Sequence, residues 1–173
     1  MIDKIPDDEI KKLMLTAEML YFNFWQSQST LDASLILIEY GKSLELMLHK
    51  QVTPVFHNII RKYKSQFFSK ILSIEVKRKF GNLFYNNSLG LGDWDRILKA
   101  FTKLTMEKEL KEFKDSLYAK FDETELRVIH KACEFIVKER NPSSHIKIHM
   151  IEYVIKLRTN IIELLNKVIE VIF

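Results

Sequence analysis

Apolar residues recur every three or four positions along nearly the whole chain, the period of an amphipathic helix. The first helix is predicted to open near Pro6, with Asp7, Asp8 and Glu9 at the positive end of its dipole. Ile10, Leu13, Met14, Ala17, Leu20, Tyr21 and Phe24 form its apolar stripe. Ser27-Gln28-Ser29-Thr30 reads as a polar connection, with Ser29 or Thr30 capping the next helix. That helix carries Leu31, Leu35, Ile38, Leu44, Leu46 and Leu48, so apolar positions cover more than half of it and place it centrally. Gly41 lies inside it, where glycine costs about 1 kcal/mol relative to alanine, so close packing is expected there.

At Thr53-Pro54 the helix either kinks or a new one begins. A basic helical stretch then runs from Val55 to about Lys79, with Arg61, Lys62 and Lys64 near its start. Asn82 to Gly92 reads as a loop, followed by a helix from about Asp93 to Leu104, and Thr105 can cap another. Asp122 and Glu125 have the spacing of a capping box for a helix ending near Glu139, because Pro142 forbids its continuation. Ser143 or Ser144 is expected to cap the last helix, whose periodic residues run from about His145 to Ile172, roughly 40 Å at 1.5 Å per residue. The pattern predicts an all-α bundle of about five to seven helices with a long C-terminal helix, forming a single domain over residues 1–173.

Composition narrows this reading. Four glycines and three prolines in 173 residues supply too few tight turns for an all-β fold. Charges interrupt every apolar stretch, so no membrane span is expected, and the acidic N-terminus has no signal-peptide core. The single cysteine, Cys133, excludes an intrachain disulfide and fits a cytoplasmic setting. Asn86-Asn87-Ser88 is then a chance sequon. With 27 Lys and Arg against 23 Asp and Glu, the net charge of +4 is compatible with nucleic-acid binding without indicating it.

Few residues suggest chemistry. Gly41-Lys42-Ser43 lacks the earlier glycine of a phosphate-binding loop and lies within a helix. His145 and His149 share zinc-like i, i+4 spacing with Glu152 nearby, but no further cluster completes a metal site, and no cofactor is expected. Cys133 reads as a core residue, and His49, His57 and His130 as isolated structural or solvated residues. What remains is Arg140-Asn141-Pro142-Ser143-Ser144-His145, a permanent cation, an amide and an imidazole beside a helix break. On spacing alone it also reads as ordinary helix ends, with Arg140 closing one helix and a serine opening the next.

This stretch, followed by a long amphipathic helix, resembles the signature of the HEPN superfamily of all-helical domains. Leu37-Ile38-Glu39-Tyr40-Gly41-Lys42-Ser43-Leu44-Glu45 is similar to the early core helix of such domains. Leu89-Gly90-Leu91-Gly92-Asp93 is similar to the turn that opens their middle helix. The resemblance implies a metal-independent endoribonuclease with Arg140 and His145 as the catalytic pair and Asn141 as their polar neighbour. It implies a homodimer whose two motifs face each other, acting on RNA in prokaryotic toxin or antiviral defence, with an antitoxin or defence-system partner. In the branch paired with a nucleotidyltransferase antitoxin a tyrosine stands where this chain has Lys147, which argues against that partnership. Lys147, Arg61, Lys62 and Lys64 are the candidate RNA-binding cations. The same family includes non-catalytic modules that dimerise or bind RNA or nucleotides, and that alternative stays open.

Overall fold

The computed structural model describes residues 2–27, 32–62, 89–103, 115–145 and 149–173, with 100–103 and 141–145 as backbone alone. Among them are six α-helices and no strand: α1 (Asp8–Gln26), α2 (Ser34–Met47), α3 (Thr53–Lys62), α4 (Leu91–Lys103), α5 (Glu123–His145) and α6 (Ile151–Ile172). The protein is an all-α bundle, as the periodicity predicts, and α6 is the long helix at its C-terminal end. Residues 63–88, which hold most of the expected basic helix and loop, lie outside the described residues, as do Ser29, Thr30 and Thr105.

Local chemistry sets several helix starts. Asp7 accepts hydrogen bonds from the Glu9 and Ile10 amides at 3.0 and 3.1 Å and so caps α1. Lys50 binds Asp7 and Glu9 from the α2–α3 connection and holds the Asp7 carboxyl below its usual pKa. The expected capping box opens α5: the Glu125 amide donates to Asp122 and the Asp122 amide donates to Glu125, both at 2.8 Å.

The central helix is α2, which packs against α1, α4, α5 and α6. It buries Ile36, Leu37, Tyr40, Leu44 and Met47, residues at helical spacing on its inward side. The Tyr40 hydroxyl donates to Glu18 of α1, whose other carboxylate oxygen accepts from Arg158 of α6. The Arg158 guanidinium lies 4.5 Å from the centre of the Tyr21 ring. This cluster joins α1, α2 and α6, and burial together with Glu18 pushes the Tyr40 phenol pKa up.

Three local expectations are corrected, and one is made specific. The second helix starts at Ser34, where Asp32 accepts the Ser34 amide at 2.9 Å. Leu35 is 52% exposed, because the packed face of α2 is carried by its neighbours Ile36 and Leu37. At Thr53-Pro54 a new α-helix does begin, α3, and a π-helical turn, Leu48–Val52, joins it directly to α2. A wider turn relieves the clash that a proline ring makes with the carbonyl four residues back. Lastly, α5 continues through Pro142 to His145, and the final helix opens only at Ile151, with no side-chain cap from Met150. That helix is therefore roughly 33 Å long.

One surface feature has no counterpart in the sequence reading. On α1, Leu15, Met19, Phe22 and Trp25 are 49%, 65%, 49% and 52% exposed and form a second apolar row, opposite the buried Ile10, Met14 and Ala17. Among the described residues, no helix is long and apolar enough to cross a membrane.

Candidate active site around Arg140

Arg140 is placed by residues of α2, one of which is also tied to α4. Its Nη1 lies 2.7 Å from Glu45 Oε1 of α2, and both side chains remain about a quarter exposed, at 25% and 28%. The same carboxylate oxygen accepts the Leu91 amide at 3.1 Å, at the start of α4. Glu45 thus holds the guanidinium of α5 and the first turn of α4 together. An ion pair this exposed contributes no more than about 1 kcal/mol, so its main effect is to orient Arg140.

Gly41 makes the approach possible. A Cβ at that position would stand 2.9 Å from Arg140 Cδ and 3.1 Å from Nη1. The close packing expected at this glycine is the seating of the arginine side chain across α2. The three stretches that carry the family resemblance, 37–45, 89–93 and 140–145, therefore meet at Glu45.

Neighbouring contacts fix the ends of α5 and α6. Glu139, the residue before Arg140, accepts the Tyr153 hydroxyl at 2.6 Å. That carboxylate, helped by burial, pushes the Tyr153 phenol up. Tyr153 stacks on His149, with ring centres 4.7 Å apart and planes within 7°. The His149 amide donates to Asp32 at 3.1 Å, and its carbonyl accepts the Ala33 amide at 2.7 Å. His149 is buried, and its Nε2 has no partner among the described residues. Burial opposes ionisation of Asp32, but the Ser34 hydroxyl and the Ser34 and His149 amides outweigh it and hold this carboxyl below its usual pKa.

The helical path through Pro142 changes the geometry expected of the motif. Arg140 and His145 are on one helix rather than on two successive elements. Five residues on a helix turn the backbone by about 140° and advance it roughly 7.5 Å. The side chains of Asn141 and His145 lie outside the described residues, as do Lys147 and Lys64. Arg61 and Lys62 are exposed at the end of α3.

Other candidates resolve as structural. Cys133 is fully buried, and burial, then the charges of Asp95 and Glu45, push its thiol pKa up, so it is a core residue. His130 Nε2 is 3.2 Å from Asp95 Oδ1, near but not aligned for a hydrogen bond. Among the described residues no group of three His, Cys, Asp or Glu side chains could hold a metal ion.

Sequence reasoning missed Glu45, Asp32 and Tyr153. A readable signal existed for Glu45: an acid one turn beyond a helix-interior glycine on a largely apolar helix needs a cationic partner, and the glycine supplies room for one. Comparison of the chain with protein-family models, curated proteins and solved structures found no match.

Proposed function

We propose that this chain is a metal-independent endoribonuclease of HEPN type, cytoplasmic, working as a homodimer in prokaryotic toxin or antiviral defence. The observation that carries the reading is the seating of Arg140: an arginine of the motif held by Glu45 over Gly41. Nη1 is engaged by Glu45, while Nη2 and Nε have no partner among the described residues. A guanidinium oriented in this way offers paired donors to phosphoryl oxygens.

The reaction follows from these groups. The ribose 2′-oxygen attacks the adjacent phosphorus as a neutral imidazole takes its proton, and the bond from phosphorus to the 5′-oxygen breaks as a second imidazole, in its protonated imidazolium form, gives a proton to that oxygen. The products are a 2′,3′-cyclic phosphate and a 5′-hydroxyl. Two imidazoles are needed, and His145 of each copy supplies one. Arg140 stabilises the charge growing on the phosphoryl oxygens, and Asn141 orients the imidazole or the phosphate. DNA, lacking the 2′-hydroxyl, is not cut.

A second copy is supported by the outward row on α1, since a patch of four large apolar side chains marks an association surface. Its Trp25 end borders a cavity of about 630 Å³ with Ile151 and Ile155, at the start of the helix that follows the motif.

The Arg140–Glu45 pair also favours a second reading, in which Arg140 serves packing and the domain is a non-catalytic module that dimerises or binds RNA. Incubation of the purified protein with RNA in EDTA decides between them. Cleavage that Arg140→Ala and His145→Ala both abolish supports the nuclease. Intact RNA with every form, while binding persists, supports the module. Activity lost in EDTA and restored by zinc overturns both in favour of a metal site at His145 and His149.

A further inference from the structure

One turn beyond Glu45, the run through the π turn and α3 lines an open groove of about 460 Å³ with His49, Lys50, Thr53, Pro54, His57, Asn58 and Arg61. Its lining holds two imidazoles, a guanidinium and an amide and, among the described residues, no carboxylate. His49, Thr53, His57 and Arg61 succeed one another at four-residue steps, so they form one row along a helical surface. Lys50 is already engaged by Asp7 and Glu9. The side chains of His49, Asn58 and Arg61 are exposed and make no hydrogen bond or ion pair among the described residues. His57 Nε2 is buried and has no partner among the described residues, a polar atom of a kind folded proteins rarely leave unpaired.

We propose that this groove binds the phosphates of an RNA strand, with His49, His57 and Arg61 as the contacting residues and Asn58 as an added donor. The identity of the strand as RNA rests on the function proposed above; the anion chemistry of the groove does not. The residues match the ligand: all four side chains can donate to phosphate oxygens. From His49 to Arg61 the row extends about 18 Å, several times the ~3.4 Å rise between stacked nucleotides of a strand. It begins one turn from the carboxylate that seats Arg140, so a strand following it is led toward the motif.

The test uses the whole chain and a ten-nucleotide 2′-O-methyl RNA, which lacks the attacking hydroxyl and cannot be cut. Only five histidines are present, so their ring C2–H resonances are tractable by NMR, and His49→Gln and His57→Gln assign two of them. Addition of the oligonucleotide is expected to shift the His49 and His57 signals, and millimolar inorganic phosphate to shift them in the same direction. Arg61→Gln, at an exposed position, is expected to weaken binding about three- to ten-fold and to lower the salt-dependence slope by roughly 0.7. The proposal is overturned if both imidazole signals stay fixed, whether the oligonucleotide binds elsewhere or not at all. Shifts at His49 and His57 in a protein that cleaves no RNA would leave the groove standing and remove the nuclease. Cleavage with both signals unmoved would do the reverse.

Discussion

Arg140 crosses α2 directly over Gly41, so close that a methyl group at position 41 and the arginine Cδ would stand only 2.9 Å apart. Gly41→Ala therefore must move the arginine. The helix itself gains about 1 kcal/mol from the replacement, roughly cancelling the loss of a part-exposed ion pair of up to about 1 kcal/mol. Denaturant unfolding should show stability within about 1 kcal/mol of the parent, while RNA cleavage falls as far as it does in Arg140→Ala. Full activity in Gly41→Ala would mean that the seating of Arg140 is irrelevant to function.

Glu45 does two jobs, and two substitutions separate them. Glu45→Gln keeps an oxygen for the Leu91 amide and loses only the charge facing Arg140, so its cost should stay below about 1 kcal/mol. Glu45→Ala leaves the Leu91 amide without its acceptor and should cost about 1–3 kcal/mol. Urea midpoints for the pair, with α4 amide exchange as a local readout, check the difference. Equal losses would show that the Leu91 bond contributes nothing.

Asp32 makes a pH prediction. Its carboxyl is held below the ordinary value of 3.8 in the folded chain. Its charge therefore contributes stability that is present above that value and is lost as pH falls through the lower, folded one. Asp32→Asn, which mimics the protonated form, should be less stable than the parent near neutral pH. The gap should close as the pH falls below the folded value. A gap independent of pH would assign Asp32 a purely steric role.

The outward row of α1 predicts concentration-dependent association. A stable interface takes about 800 Å² from each partner, and Phe22 and Trp25, each about half exposed, offer part of the roughly 150–250 Å² that an aromatic residue buries in full. Met19→Lys and Phe22→Lys change only exposed positions, so thermal stability should hold while sedimentation velocity shows a shift to monomer. If both variants associate like the parent, the second copy binds elsewhere.

Much of this fold is legible from nearest neighbours along the chain. The Asp122–Glu125 box is readable because both partners lie within one turn, and the burial of α2 because it depends only on how many of its faces are apolar. Pro142 misleads because proline sets a cost of about 3 kcal/mol inside a helix rather than a prohibition. The turn before it is anchored from outside by Arg140 to Glu45 and by Glu139 to Tyr153. Those contacts join residues 95 and 14 positions apart, beyond any local pattern. For the same reason the sequence marks Arg140 as a candidate and Glu45 as an acid in need of a cation, but not that the two are partners. The outer row of α1 escaped because a helix with one good apolar face already explains itself.

The π turn at Leu48–Val52 behaves like a shim. Such a turn places one more residue in its loop than an α-helical turn, and each residue carries about 100° of rotation. Deleting one residue there would swing α3 by about that angle, taking Phe56 away from Trp94, whose ring meets it edge-on at 5.3 Å. His57 and Arg61 would leave the line of His49 in the same movement. A chain shorter by one residue in this turn would thus lose both an aromatic contact of the core and the alignment of the basic row, whereas the half-buried Gln51 can be replaced without either loss.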